Sequence, residues 1–365
     1  MAKILILGGT GYTGKLVTGH LLRQSDAEIT LASRHPEKTQ LYTEKFNQEF
    51  PGNRVKSVFA DAADKASLCD AFMGHDMIVV AAPTTAFAEN VVNAVIESGA
   101  DYLDVQLSAS KFALLQSYSG KIKDSGLCFI TEAGFHPGLP AALVHFAAQH
   151  FDTLETANTI GYLNMGKGLP YTEAVDELVE CFREYQAQVY INGQWTNPEK
   201  FQMKKFDFGS DIGIKTCYSM FFEELRPLPD VYPSLKETGF YMSESHWMTD
   251  YFIMPLVWFG LKVFPNSVRT IGKLLWWGMG NFHNSPYRVE LQVHASGIKT
   301  GQPHKLVARV SHSDGYELTA IPVVATLLQY LSNPVPRPGL WMMGYYADPV
   351  RLMDDMKKMG VEVMA

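Results

Sequence analysis

Short aliphatic runs recur through the first third of the chain, separated by longer stretches whose apolar residues return every three or four positions. The runs predict strands at 3–7, 28–32, 55–59, 77–81, 101–104 and 127–131, and the periodic stretches predict helices at 12–23, 36–49, 65–72, 86–98 and 110–123. In the fourth of these, Val91, Val92, Val95 and Ile96 form one apolar stripe, and Gly99 closes the helix. Strands this short, with little polar alternation, fit a parallel sheet covered by helices on both faces, so the pattern predicts a doubly wound nucleotide-binding domain.

After Pro140 the strand-helix pacing is lost and aromatic residues increase. Strands are expected at 157–163, 187–191, 287–295 and 305–312, the last two long enough for an antiparallel sheet. The run "PVPRPG" at 334–339 reads as a stiff connector, and 348–359 as a helix that returns to the first domain. The fold class expected is α/β: a Rossmann doubly wound parallel sheet over residues 1–134, with 335–365 returning to it. A second α+β domain over 135–334 should contain a largely antiparallel sheet. A length of 365 residues agrees with two domains.

Composition narrows the function. Apolar residues make up 47% and charged residues 19%, so a large core can form. The net charge of −7, without a Lys/Arg cluster, argues against nucleic-acid binding. Cys69, Cys128, Cys181 and Cys217 lie far apart, and no pair of histidines has HExxH or HxH spacing, so neither a disulfide framework nor a metal site is expected. A strand starting at Lys3 leaves no room for a leader, and a cytoplasmic protein is expected. Residues 247–264, "WMTDYFIMPLVWFGLKVF", carry Asp250, Pro255, Gly260 and Lys262 and are too interrupted to span a bilayer. They read as core, as the surface of an expected homodimer, or as a peripheral membrane contact.

The stretch "ILILGGTGYTGKL" at 4–16 holds the first candidate chemistry. Gly9, Gly14 and Lys15 fit the opening of a nucleoside-triphosphate loop, but such a loop needs Ser or Thr directly after the Lys, and Leu16 stands there. A dinucleotide turn fits better. Gly8 and Gly9 allow the tight turn, Gly11 lets the backbone approach a pyrophosphate, and Gly14 lets the helix pack on the strand. Contacts to the cofactor are expected from Gly8, Gly9, Thr10, Gly11, Tyr12, Thr13 and Gly14, with the pyrophosphate at the helix N-terminus.

The end of the second strand selects the dinucleotide. A carboxylate there would accept from ribose hydroxyls and repel a 2′-phosphate; "ITLASR" instead places Ser33 and Arg34. Arg34 can meet a phosphate in bidentate fashion while Ser33 donates one more hydrogen bond, so NADP(H) is the expected cofactor. Asp61 should lie on the adenine side, and the small residues Ala82 and Pro83 should leave room for ribose and nicotinamide.

The chain resembles the saccharopine dehydrogenase-like NADP-binding oxidoreductases. The resemblance rests on "GGTGYTG", on "AAPTTAFAENVVNAVIESGADYLDVQ" at 81–106, on "AGFHPGLP" at 133–140 and on the closing "MKKMGVEVM". It implies a Rossmann domain, an inserted α/β domain and hydride transfer from NADPH to a C=N, C=O or C=C acceptor. It also implies the pyrophosphate at Gly8, Gly11 and Gly14, the 2′-phosphate at Arg34, and adenine beside Asp61. Gln106 and Leu107 stand where saccharopine reductases commonly carry Gly-Glu, and the aromatic stretch 240–282 suits a rather apolar small-molecule substrate.

For the chemistry, His136 is the leading candidate proton donor, with Asp104 holding substrate or orienting it. Each also has a structural reading: His136 as a loop tie, Asp104 as a turn cap. A Tyr and Lys four positions apart occur only at Tyr232 and Lys236, in a proline-rich stretch outside the nucleotide domain, and are discounted. Arg183, Arg226, Arg269 and Arg288 are candidate anion ligands in the second domain. The alternative class is an NADP-binding redox sensor that transfers no hydride.

Overall fold

The computed structural model describes residues 1–165, 171–283, 285–333 and 337–365. The chain divides into two units, one formed by Met1–Gly138 with Thr319–Met359 and the other by Leu139–Leu318 with Gly360–Ala365.

In the first unit, strands β1 (Lys3–Leu7), β2 (Glu28–Ser33), β3 (Val55–Phe59), β4 (Met77–Val80), β5 (Asp101–Asp104) and β6 (Cys128–Thr131) form a parallel sheet. Their order is β6-β5-β4-β1-β2-β3, with Gly339–Met342 added parallel to β6 at the edge. The helices between them are α1 (Tyr12–Gln24), α2 (Pro36–Glu49), α3 (Lys65–Phe72), α4 (Ala88–Ser98) and α5 (Ala109–Asp124). β4 is wholly buried, as the unalternated "MIVV" requires of a central strand covered on both sides. The stripe Val91, Val92 and Val95 joins Leu5, Ile78, Phe72 and Leu115 in one core, and Gly99 ends α4 in the left-handed conformation at φ 70°.

The second unit is built on a mixed, largely antiparallel sheet whose centre pairs Thr153–Asn164 with Arg288–Lys299, and the latter with Gln302–His312. Glu237–Ser243 runs parallel to Thr153–Asn164 on its other side, and Ile214–Met220 and Met203–Asp207 complete that flank. Of the strand expected at 187–191, only Tyr190–Ile191 forms a ladder, pairing with Thr238 and Glu237 on one side and with Gln194–Trp195 on the other.

The return to the first unit differs from the expectation at both ends. It begins at Thr319, inside the helix Gly315–Ser332, whose Tyr330 hydroxyl donates to the buried Asp101 carboxylate at 2.7 Å. It ends before the terminus: Glu362–Met364 pairs with Arg309–Ser311 in the second sheet, so the closing "VEVM" belongs to the second unit. The helix Pro349–Lys358 lies in the first unit.

Candidate functional site

The strand order reverses between β1 and β4, which are neighbours while their successors lie on opposite sides. The carboxyl ends of two such strands diverge from their crossovers and open a crevice. The glycine turn follows β1 directly. Gly8 adopts φ 86°, and a methyl group there would lie 2.7 Å from the Ala81 carbonyl and from Ala82 Cβ. A methyl on Gly14 would lie 2.3 Å from the Gly8 carbonyl. Gly8 therefore lets the turn approach the end of β4, and Gly14 lets α1 sit against the turn.

The turn is held by Gly11 N–H donating to Gly8 O at 2.8 Å and Gly9 N–H donating to Ile6 O at 3.1 Å. Gly11 is the N-cap of α1 and, lacking a side chain, makes no side-chain capping bond. A helix N-terminus of that kind, behind a glycine-lined approach, suits a pyrophosphate. Thr10 is buried; Tyr12 and Thr13 are half-exposed. Lys15 turns away: its amine lies 4.8 Å from the Tyr42 ring and 3.3 Å from the Tyr42 hydroxyl. The cation that a triphosphate loop would aim at phosphate is spent between α1 and α2.

At the end of β2, Arg34 is exposed, and among the described residues no carboxylate pairs with its guanidinium. It stands one residue before the N-cap of α2, His35, whose side chain makes no capping bond. A free guanidinium beside an uncapped helix start is a fitting receptor for a 2′-phosphate. The Ser33 hydroxyl is engaged inside the turn: it accepts from His35 N–H at 3.1 Å and shares a 2.7 Å hydrogen bond with the Thr39 hydroxyl in which either could be the donor. It thereby shapes the loop that presents Arg34. Asp61, at the end of β3, accepts from Ala63 N–H at 3.0 Å with one oxygen.

The wall formed by β4 and β5 contains residues that sequence reasoning did not single out. Gln106 is buried, and its amide donates to Ala82 O at 2.7 Å and to Thr84 Oγ1 at 3.1 Å. It fixes the segment carrying Ala82 and Pro83 against the end of β5. Beneath it, Lys111 Nζ donates to Asp104 Oδ1 at 2.5 Å, to Gln106 O at 2.8 Å and to Thr131 Oγ1 at 3.0 Å. Thr131 Oγ1 donates to the other Asp104 oxygen at 2.8 Å, and Gln106 N–H donates to Oδ1 at 3.0 Å. Both side chains of the ion pair are 0% exposed.

Asp104 is therefore satisfied as a turn cap and interior anion, with its side chain fully buried. The signal for Lys111 was present: it lies on the buried face of α5 with Phe112, Leu115 and Ile122. A lysine on an apolar helix face requires a buried acceptor set.

His136 lies in the loop after β6, half-buried, with its ring centroid 4.4 Å from that of Phe135. Desolvation lowers its pKa to about 4, so the imidazole is neutral near pH 7. A neutral ring can polarise through N–H but is not an imidazolium acid.

The remaining candidates separate. Tyr232 meets His145 Nδ1 at 2.7 Å, whereas Lys236 pairs with Glu155 at 2.6 Å, so the two do not converge. Arg183, Arg226 and Arg288 pair with Glu180, Glu223 and the Asp211/Glu290 pair, whereas Arg269 is exposed. Among the described residues no cluster of His, Cys, Asp or Glu could hold a metal ion.

Comparison with known proteins agrees with the first unit. Residues 4–125 match the model of the saccharopine dehydrogenase NADP binding domain. Carboxyaminopropylagmatine dehydrogenase of Synechocystis is 25% identical over 67% of this chain and 63% of its own length. Carboxynorspermidine synthase of Vibrio cholerae is 25% identical over 67% of this chain and 64% of its own. The matched stretch thus spans less than two thirds of these relatives. Apo saccharopine dehydrogenase (L-Glu forming) of Saccharomyces cerevisiae has the same fold, with a TM-score of 0.67 over 100% of both chains at 13% identity. The stretch that matches the saccharopine dehydrogenase NADP binding domain holds the glycine turn, Arg34 and the Gln106 clamp.

Proposed function

We propose that the chain is an NADPH-dependent oxidoreductase whose acceptor is a C=N bond. The observation that carries this reading is the pairing of a glycine turn at the β1/β4 crevice with an exposed Arg34 one strand away that makes no ion pair among the described residues. Gly8, Gly11 and Gly14 would hold the pyrophosphate, Arg34 the 2′-phosphate, and Asp61 the adenine side. Ala82 and Pro83, fixed by Gln106, would border the nicotinamide end. Bound there, NADPH supplies a hydride.

Among C=N, C=O and C=C acceptors, an iminium asks least of these residues. Hydride addition to an iminium carbon gives a neutral amine, with no proton needed from the protein, whereas reduction of a carbonyl builds an alkoxide that needs an acid. Asp104 is locked on Lys111, and His136 is neutral at working pH, so its part would be to polarise or to orient. The names of the two relatives, a dehydrogenase and a synthase of carboxylated polyamine-type compounds, support an amine-derived substrate.

The alternative, an NADP-binding sensor without hydride transfer, is favoured by the same lack of a poised acid at His136 and Asp104. The test is to incubate the protein with NADPH and imines formed from polyamines and oxo acids, and to follow the nicotinamide absorbance. Turnover supports the oxidoreductase; tight NADPH binding without turnover on C=N, C=O or C=C acceptors supports the sensor.

A further inference from the structure

The segment 247–282 folds as a π-helical turn, Thr249–Ile253, running into the helix Met254–Val263, followed by the helix Val268–Asn281. One face of this hairpin is ordinary core: Ile253, Val257 and Leu261 pack with Ile271, Leu275 and Val179. The opposite face should then be polar, as in a surface helix. It is not. Phe252, Leu256, Phe259 and Val263, separated by four, three and four residues, form a second apolar stripe and are 46–61% exposed. Trp247, Tyr251, Phe264 and Trp277 extend it, each more than half exposed.

We propose that this outward face docks in the interfacial layer of a lipid membrane that carries anionic headgroups. Two observations select a lipid surface over another occupant, and a third fixes how the helix would lie in it. First, the patch is rich in Trp and Tyr, whose amphipathic rings favour the headgroup region. Second, its charge is opposite to that of the rest of the molecule: residues 247–282 carry Lys262, Arg269 and Lys273 against Asp250 alone, in a chain of net charge −7. All three cations are exposed, placed to meet lipid phosphates. A second copy docking through the same face would bring these cations against their own counterparts. Third, no helix among the described residues is long and apolar enough to cross a membrane. The ten-residue helix Met254–Val263 is about 15 Å long. That is about half a bilayer's apolar thickness, which suits a helix lying in the interface plane. The inference is independent of the cofactor and of the acceptor.

The test uses the full chain with vesicles of phosphatidylcholine alone or mixed with phosphatidylglycerol, read by flotation and by tryptophan emission. The chain should float with the mixed vesicles, with a blue shift, and less with the neutral ones. The pair Leu256→Gln/Phe259→Gln, both exposed positions, should keep its unfolding midpoint and lose vesicle partitioning by about tenfold or more. The pair Lys262→Gln/Lys273→Gln should lose only the preference for the mixed vesicles. Failure to float with either composition would overturn the proposal, as would flotation of Leu256→Gln/Phe259→Gln equal to that of the parent. Light scattering that shows a dimer dissociated by the same pair, without vesicle binding, would assign the face to a contact between copies and also overturn it.

Discussion

Lys111 and Asp104 form an ion pair at 2.5 Å with neither side chain exposed to solvent, at the carboxyl end of the central strands. Every proton of the Lys111 ammonium has an acceptor, so the pair bears on how stably the crevice wall is built. Burying two charges is costly, and removing one partner leaves the other uncompensated. Lys111→Met should destabilise the protein by about 3–5 kcal/mol in denaturant unfolding. A loss below about 1 kcal/mol would mean that the interior does not depend on the pair.

The glycines divide into those that must lack a side chain and those that need not. Gly14→Ala forces a methyl to within 2.3 Å of the Gly8 carbonyl, so NADPH binding and stability should both fall. Gly120, in α5, has no neighbour within 4 Å of such a methyl. Gly120→Ala should leave binding unchanged and raise stability by about 0.5–1 kcal/mol through helix propensity. Similar behaviour of the two variants in NADPH titration would remove the turn from the cofactor site.

Acid should weaken the second unit through His145. Desolvation lowers its pKa from 6.5 to about 4, so between those values the unfolded chain takes up a proton that the folded one refuses. Stability is complete above about pH 6.5 and falls as pH drops toward 4. Asp250, raised to about 6 by burial, has the opposite slope over part of this window in parent and variant alike. The difference between parent and His145→Phe therefore isolates the histidine: the parent should lose about 1–3 kcal/mol more from pH 7 to pH 4.5. Parallel unfolding curves would show that His145 titrates normally.

His136→Ala should lower turnover while NADPH affinity stays nearly constant, because the residue lies outside the glycine turn and the Arg34 corner. With its pKa near 4, His136 should also contribute no inflection to the rate between pH 6 and 8. An unchanged rate in the variant would exclude it from the chemistry.

The first unit was legible because buried parallel strands are written as uninterrupted aliphatic runs: "MIVV" and "KILIL" are strands wherever such runs alternate with amphipathic helices. The second was harder. Met203–Asp207, Ile214–Met220 and Glu237–Ser243 mix Lys, Asp, Thr and Ser with apolar residues and lie toward one edge of the sheet, so no run marks them. The helix Gly315–Ser332 carries Pro322 and passes from one unit into the other, and a linear pattern does not show that. At the site, the glycine turn was readable because its spacing is local. The Gln106 clamp was not, and the buried position of Lys111 was signalled but its acceptors were not, because the partners Ala82, Thr84 and Thr131 come from other strands and loops. The pairing of Asp104 was hidden for the same reason: the sequence shows a carboxylate at a strand end, not the lysine that neutralises it.

The central claim is that the end of β2 receives the 2′-phosphate of NADPH through Arg34, and calorimetric titration of the parent and Arg34→Ala with NADPH and NADH tests it most directly. The parent should prefer NADPH, and the substitution should cost roughly 1–3 kcal/mol for NADPH while leaving NADH almost unaffected. Equal losses for both cofactors, or no heat with either, would contradict the account.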